Sequence, residues 1–138
     1  EALQALSASL GANVKFFGFK VGNELWSLVK AARAVVLPSE WYENAPISIL
    51  EAYSLGKPVI GARVGGIPEM VREGRTGFLF PFGDVDRLAG ELANIARMAD
   101  AGVEELGREA REWVIDEYSP ARHYERLRAL YAKHCRLE

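Results

Sequence analysis

One cysteine, Cys135, stands in 138 residues, which excludes a disulfide framework and any zinc site built on paired cysteines. An excess of charge of one sign is also lacking, since 17 Lys and Arg face 19 Asp and Glu for a net charge of −2. With no basic stripe to neutralise a row of phosphates, nucleic acid is not an expected partner. The apolar runs are a handful of residues long, too short to cross a bilayer, and nothing in the segment indicates membrane contact. No signal-peptide pattern opens the chain. Neither a Walker-type loop nor a Gly-x-Gly-x-x-Gly loop is present, and no repeat or low-complexity tract occurs. Sparse cysteine fits a reducing compartment, so the expected location is cytoplasmic. What is present is an ordinary globular balance, 49% hydrophobic and 26% charged, in a length that suits one domain or part of one.

Leu3, Leu6 and Leu10 sit at helical spacing before Gly11, and the chain opens without an initiator Met. This reads as a unit over residues 1–138 that is truncated on its N-terminal side. Val14 to Gly18 reads as a short strand, and Asn23 as the cap of a helix with Leu25, Leu28, Val29 and Ala32 on one face. Ala34 to Leu37 is a continuous apolar run, expected as a strand covered on both faces. Pro46 suits a first helical position, with a stop at Gly56. Pro58–Ala62 and Thr76–Phe80 read as two more strands, with Gly65-Gly66 breaking the chain before a short helix begun by Pro68. Asp84 caps a helix with Leu88, Leu92 and Ile95 inward, Val103 to Val114 mark another, and Ser119-Pro120 opens the last. Strands alternating with helices predict an α/β fold, a parallel sheet with flanking helices.

In open parallel sheets, ligands bind beyond the carboxyl ends of the strands. Three loops are expected there: Phe19 to Gly22, Pro38 to Ala45, and Arg63 to Ile67. The second places Glu40, Trp41, Tyr42 and Glu43 between a strand and a helix start, where free N–H groups and the positive dipole end attract anions. Glu51 follows in the second turn of that helix, so two carboxylates bracket a volume of sugar or nucleoside size. The competing reading is that Glu40 and Glu43 only complement the helix dipole and Glu51 faces solvent. His123 and His134 lie three turns apart with no third ligand, so they read as packing or surface residues and no metal site is expected. Trp26 and Trp113 fall at core spacing; Trp41 and Tyr42 remain open between loop packing and ligand contact.

The stretch Pro38-Ser-Glu-Trp-Tyr-Glu-Asn-Ala-Pro-Ile-Ser-Ile-Leu-Glu-Ala-Tyr-Ser-Leu-Gly-Lys-Pro-Val-Ile-Gly-Ala-Arg-Val-Gly-Gly-Ile-Pro-Glu69 resembles the signature of retaining glycosyltransferase family 4. Its E-x7-E motif is met by Glu43 and Glu51, and the Gly-Lys-Pro-Val, Gly-Gly-x-x-Glu, Phe-Phe-Gly-Phe and Gly-Phe-Leu-Phe-Pro segments follow the same pattern. The resemblance covers residues 14 to about 131 and implies the GT-B architecture of two Rossmann-like domains, this chain being the later part of the C-terminal, donor-binding one. It implies that Glu43, the catalytic candidate, holds hydroxyls of the transferred sugar and that Glu51 holds the ribose. Backbone N–H groups of Ala45, Ile47 and Ser48 would point at the sugar and distal phosphate, with Phe19, Lys20 and Val21 near the base and Gly65 and Gly66 in the donor site. Pro46 departs from a frequent glycine and contributes no N–H. The family's pyrophosphate-binding Arg and Lys are not matched by Lys57 or Arg63, and the N-terminal acceptor domain is missing, so the isolated chain is expected to be inactive.

The leading expectation is therefore the donor-binding part of a retaining glycosyltransferase. It would move a sugar from a nucleotide-diphosphate sugar, its substrate, without a metal or other cofactor. The alternative is a non-catalytic nucleotide-binding or interaction module of the same fold. A phosphoacceptor receiver is disfavoured because the strand ends supply no Asp.

Overall fold

A computed structural model describes residues 1–135 of the chain. Helices α1 (Ala2–Ser9) and α2 (Gly22–Ala31) precede strand β1 (Val35–Leu37), and α3 (Ile47–Ser54) leads to β2 (Val59–Arg63). The short α4 (Ile67–Met70), strand β3 (Gly77–Pro81) and helices α5 (Val85–Arg97), α6 (Asp100–Tyr118) and α7 (Pro120–His134) complete the order. The three strands pair in parallel in the order β1-β2-β3, with Val36 opposite Ile60 and Ile60 opposite Phe78. Parallel neighbours need crossovers, which α3 and α4 supply.

Among the described residues three strands form where four are expected. Val14 to Gly18 joins no ladder among the described residues, Gly18 turns at φ +66°, and Val14, Phe16 and Phe17 are exposed. An apolar, β-branched and aromatic run has the composition of a strand, yet only pairing with a neighbour makes it one. β1 pairs with β2 alone and is half-buried along its length, not covered on both faces, because it is the sheet edge. Central β2 is the fully buried strand, from Val59 to Ala62.

The core is built by Ile49, Ala52 and Tyr53 of α3, the inward residues of β2 and β3, Ile67 and Met70 of α4, Ile95 of α5, and Val103, Leu106, Ala110, Trp113 and Val114 of α6. Helix ends follow local chemistry. Asp84 accepts a hydrogen bond from the Arg87 amide at 2.9 Å, and Ser119 accepts one from Arg122 at 3.2 Å with Pro120 at the first helical position. At the end of α3, Gly56 takes φ +68° while its amide donates to Tyr53 O and the Lys57 amide donates to Ala52 O, both at 2.9 Å. That pair of bonds is a Schellman closure, which needs a residue tolerant of left-handed backbone. Three local expectations are corrected. Val21, not Asn23, occupies the cap of α2, and Asn23 falls inside the first turn with no side-chain cap bond. Pro46 is the N-cap of α3, one residue before the position expected for it. Leu92 is 41% exposed, since α5 is covered only along the line of Leu88 and Ile95.

Candidate functional site

The loop from Pro38 to Ala45 leaves the carboxyl end of β1 and delivers the chain to α3. Its polar side chains fold it on itself: Ser39 Oγ donates to Glu43 Oε1 at 3.2 Å and accepts from the Trp41 amide at 3.4 Å. The Glu43 amide donates to Trp41 O at 2.9 Å, closing a tight three-residue turn. Buried Pro46 anchors the loop's far end, so α3 starts at a fixed point. No side chain caps α3, and its first turn holds no acidic residue. The Ala45, Ile47 and Ser48 amides have no acceptor among the described residues, while the Ile49 amide closes onto Pro46 O at 3.0 Å. Unpaired amides at a helix start, exposed at Ala45, Ile47 and Ser48, form a place for anionic oxygen.

The loop after β2 meets this one directly. The Gly66 amide donates to Glu43 O at 2.6 Å, and a Cβ on either Gly65 or Gly66 would lie well inside 3.0 Å of the backbone of Glu43 or Asn44. The carboxyl ends of β1 and β2, adjacent in the sheet, thus place the expected residues Glu43, Gly65 and Gly66 together. Glu51, half-buried, follows on the second turn of α3. A cleft of about 100 Å³ opens at the same edge, lined by Pro38, Ser39, Glu40, Ala62, Phe80 and Asp84. Larger hollows lie elsewhere, one of about 1060 Å³ between residues 1–4 and 15–18 and one of about 260 Å³ around Arg33, Lys57 and Asp100, before the amino ends of the strands.

Phe19, Lys20 and Val21 are not at a strand end, because the strand expected before them does not form. Phe19 is 91% exposed, Lys20 pairs with Glu24 at 3.0 Å one turn on, and the segment makes no hydrogen bond to the other two loops among the described residues. Trp41 and Tyr42, left open from sequence, are 81% and 90% exposed, so loop packing does not account for them. Trp113 is core, Trp26 only half-buried, and His123, His134 and Cys135 are exposed. Among the described residues no group of three His, Cys, Asp or Glu gathers as a metal site, and no helix is long and apolar enough to cross a membrane. Ser39 is the residue that motif reading passed over; a short hydroxyl in a loop, four positions before a carboxylate, was the available signal.

A parallel sheet whose carboxyl edge carries bare helix amides and a carboxylate loop defines a Rossmann-like unit, and its architecture matches the C-terminal domain of GT-B glycosyltransferases. The chain belongs to the family described as glycosyl transferases group 1, which it matches over residues 1–113. It is 38% identical over 105 residues to the sulfoquinovosyl transferase SQD2 of Arabidopsis thaliana, covering 74% of this chain and 20% of that protein. It is 42% identical over 102 residues to a D-inositol 3-phosphate glycosyltransferase of Streptomyces scabiei, covering 72% of this chain and 23% of that protein. Among solved structures, Anabaena HepE in complex with UDP superposes with a TM-score of 0.82 at 25% identity, over 96% of this chain and 36% of HepE; a further HepE structure holds UDP-glucose. The chain therefore spans about a fifth to a third of the length of the proteins it matches.

Proposed function

We propose that residues 1–138 act as the donor-binding, C-terminal part of a retaining, family 4 glycosyltransferase that moves a sugar from a nucleotide-diphosphate sugar to an acceptor. The observation that carries this is the bare N-terminus of α3 beside Glu43: amides of Ala45, Ile47 and Ser48 without acceptors, one step past a carboxylate whose backbone is clamped by Gly66. Those amides suit a distal phosphate, Glu43 suits sugar hydroxyls next to it, and Glu51 suits the ribose about one turn along the helix. HepE, similar over 96% of this chain, has been solved with UDP-glucose, which supports the ligand class. In a retaining reaction of this type the acceptor attacks on the face the leaving group departs from. The developing pyrophosphate charge would be stabilised by oriented amides and the α3 dipole, with neither Glu acting as nucleophile and no metal required. The cationic pyrophosphate ligands and the acceptor domain are assigned to the N-terminal side of a longer protein, since the chain spans only about a fifth to a third of its relatives.

Glu43→Gln in the full-length protein tests the reading. It keeps shape and one acceptor but removes the charge that orients sugar hydroxyls, so kcat falls about 10²-fold while nucleoside diphosphate affinity is unchanged. A carboxylate serving only the helix dipole gives a different result, a stability loss of about 0.3–1 kcal/mol with normal kcat. Normal kcat with a lowered melting temperature overturns the proposal.

A further inference from the structure

We infer that Glu43 is held from two sides: the Gly65-Gly66 turn fixes its backbone, and Ser39 fixes its carboxylate. The inference rests on the role proposed for Glu43. Two loops from different strand ends meet here main chain to main chain. The Gly66 amide reaches Glu43 O at 2.6 Å, and the sites a Cβ would take on Gly65 and Gly66 are filled by the Glu43 and Asn44 backbone. Contact this close leaves no slack for a side chain, so the separation of the loops is set by the absence of two Cβ atoms. From the opposite side the Ser39 hydroxyl donates to Glu43 Oε1 at 3.2 Å. Backbone and carboxylate are thereby both fixed, and the side chain between them has little freedom to swing. A carboxylate whose value lies in orienting a reacting sugar needs that restraint, because a displacement of about 1 Å costs about 10²-fold in rate. Gly65 and Gly66 thus act as positioning residues for Glu43.

The structure supplies a matched comparison. Gly66 has φ −83° and ψ −4°, so an alanine adopts its backbone without strain and acts only by pressing on Asn44 O. Gly107, inside α6, is equally crowded, but by Gly56 O at the amino end of the sheet. In the full-length protein, Gly66→Ala is expected to lower kcat about 10²-fold with nucleoside diphosphate affinity unchanged. Gly107→Ala is expected to lower the melting temperature and leave kcat intact. Placed in a Glu43→Gln background, Gly66→Ala is expected to add nothing further to the kcat loss, since coupled residues are not additive. Ser39→Ala is expected to lower kcat about tenfold, the effect of one hydrogen bond of about 1–1.5 kcal/mol, and Ser39→Thr to restore it. Parallel behaviour of Gly66→Ala and Gly107→Ala, or additive losses in the double variant, overturns the inference. Should Gly66→Ala fail to fold, full kcat in Ser39→Ala overturns it instead. A normal kcat in Glu43→Gln overturns the sugar-holding reading itself, whereas a full kcat in Gly66→Ala beside a depressed one in Glu43→Gln overturns only the brace.

Discussion

Tyr53 joins three parts of the chain through one oxygen. From α3 its hydroxyl donates to Met70 O at 3.1 Å and lies 2.9 Å from Thr76 Oγ1, which in turn accepts from the Arg72 amide. With its own proton committed to Met70, Tyr53 accepts from Thr76, so all three polar groups are satisfied in a dry setting. Burial raises the Tyr53 phenol well above its ordinary value, with the Thr76 hydrogen bond opposing in smaller measure; burial also raises Tyr118. The folded pKa lies above the unfolded one, so the unfolded chain releases its proton first. The stability contribution is whole below about pH 10 and is lost as pH rises from there toward the folded value. Tyr53→Phe is expected to lose about 1 kcal/mol at neutral pH and to show a shallower stability decline between about pH 9 and about pH 11. Denaturation midpoints across that range check it, and an unchanged alkaline slope refutes it.

Helix α3 carries the candidate site at one end and a main-chain lock at the other. Gly56, at φ +68°, allows the Schellman closure that ends the helix, and Gly107 of α6 packs onto the Gly56 carbonyl. Gly56→Ala forces a side chain into left-handed backbone, a cost of about 1–2 kcal/mol, read as a lowered melting temperature with ligand affinity unchanged. An undiminished melting temperature counts against the closure. These element boundaries were largely legible, because Gly56, Asp84 and Ser119 act on atoms a few residues away. Asn23 misled, since a capping side chain is informative only once the first helical residue is known, and α2 begins at Gly22. Leu92 misled because periodicity marks an apolar face without telling how much of it a neighbour covers.

Across the whole molecule, the buried core is confined to the sheet with α3 to α6, while α1, α2 and α7 have no buried residues. Trp113 is the hinge pin of that core, edge-on to Tyr53 at 5.9 Å and to Tyr118 at 5.3 Å with the Arg72 guanidinium 4.6 Å over its ring. Glu51 stands on this well-fixed frame, and the ribose contact proposed for it is alike in ground and transition states. Glu51→Ala in the full-length protein is therefore expected to raise donor KM about tenfold or more, by loss of a hydrogen bond to a charged group, with little change in kcat. Steady-state kinetics with varied donor decide, and an unchanged donor KM removes the ribose role.

Legible in the chain alone were the α/β alternation, the caps at Asp84 and Ser119, the Gly56 stop, the inward line of α6 and the glycosyltransferase character, because each is written in neighbouring residues or in motif spacing. Pairing and packing in three dimensions settle that Val14 to Gly18 is not a strand, that β1 is a half-covered edge, and that Phe19 to Val21 make no hydrogen bond to the other two loops among the described residues. They also decide what Gly65-Gly66 is for. A glycine pair reads as a turn wherever it occurs; that its missing side chains make room for the backbone of Glu43 and Asn44, some twenty residues earlier, depends on β1 and β2 pairing in parallel and bringing their carboxyl ends side by side.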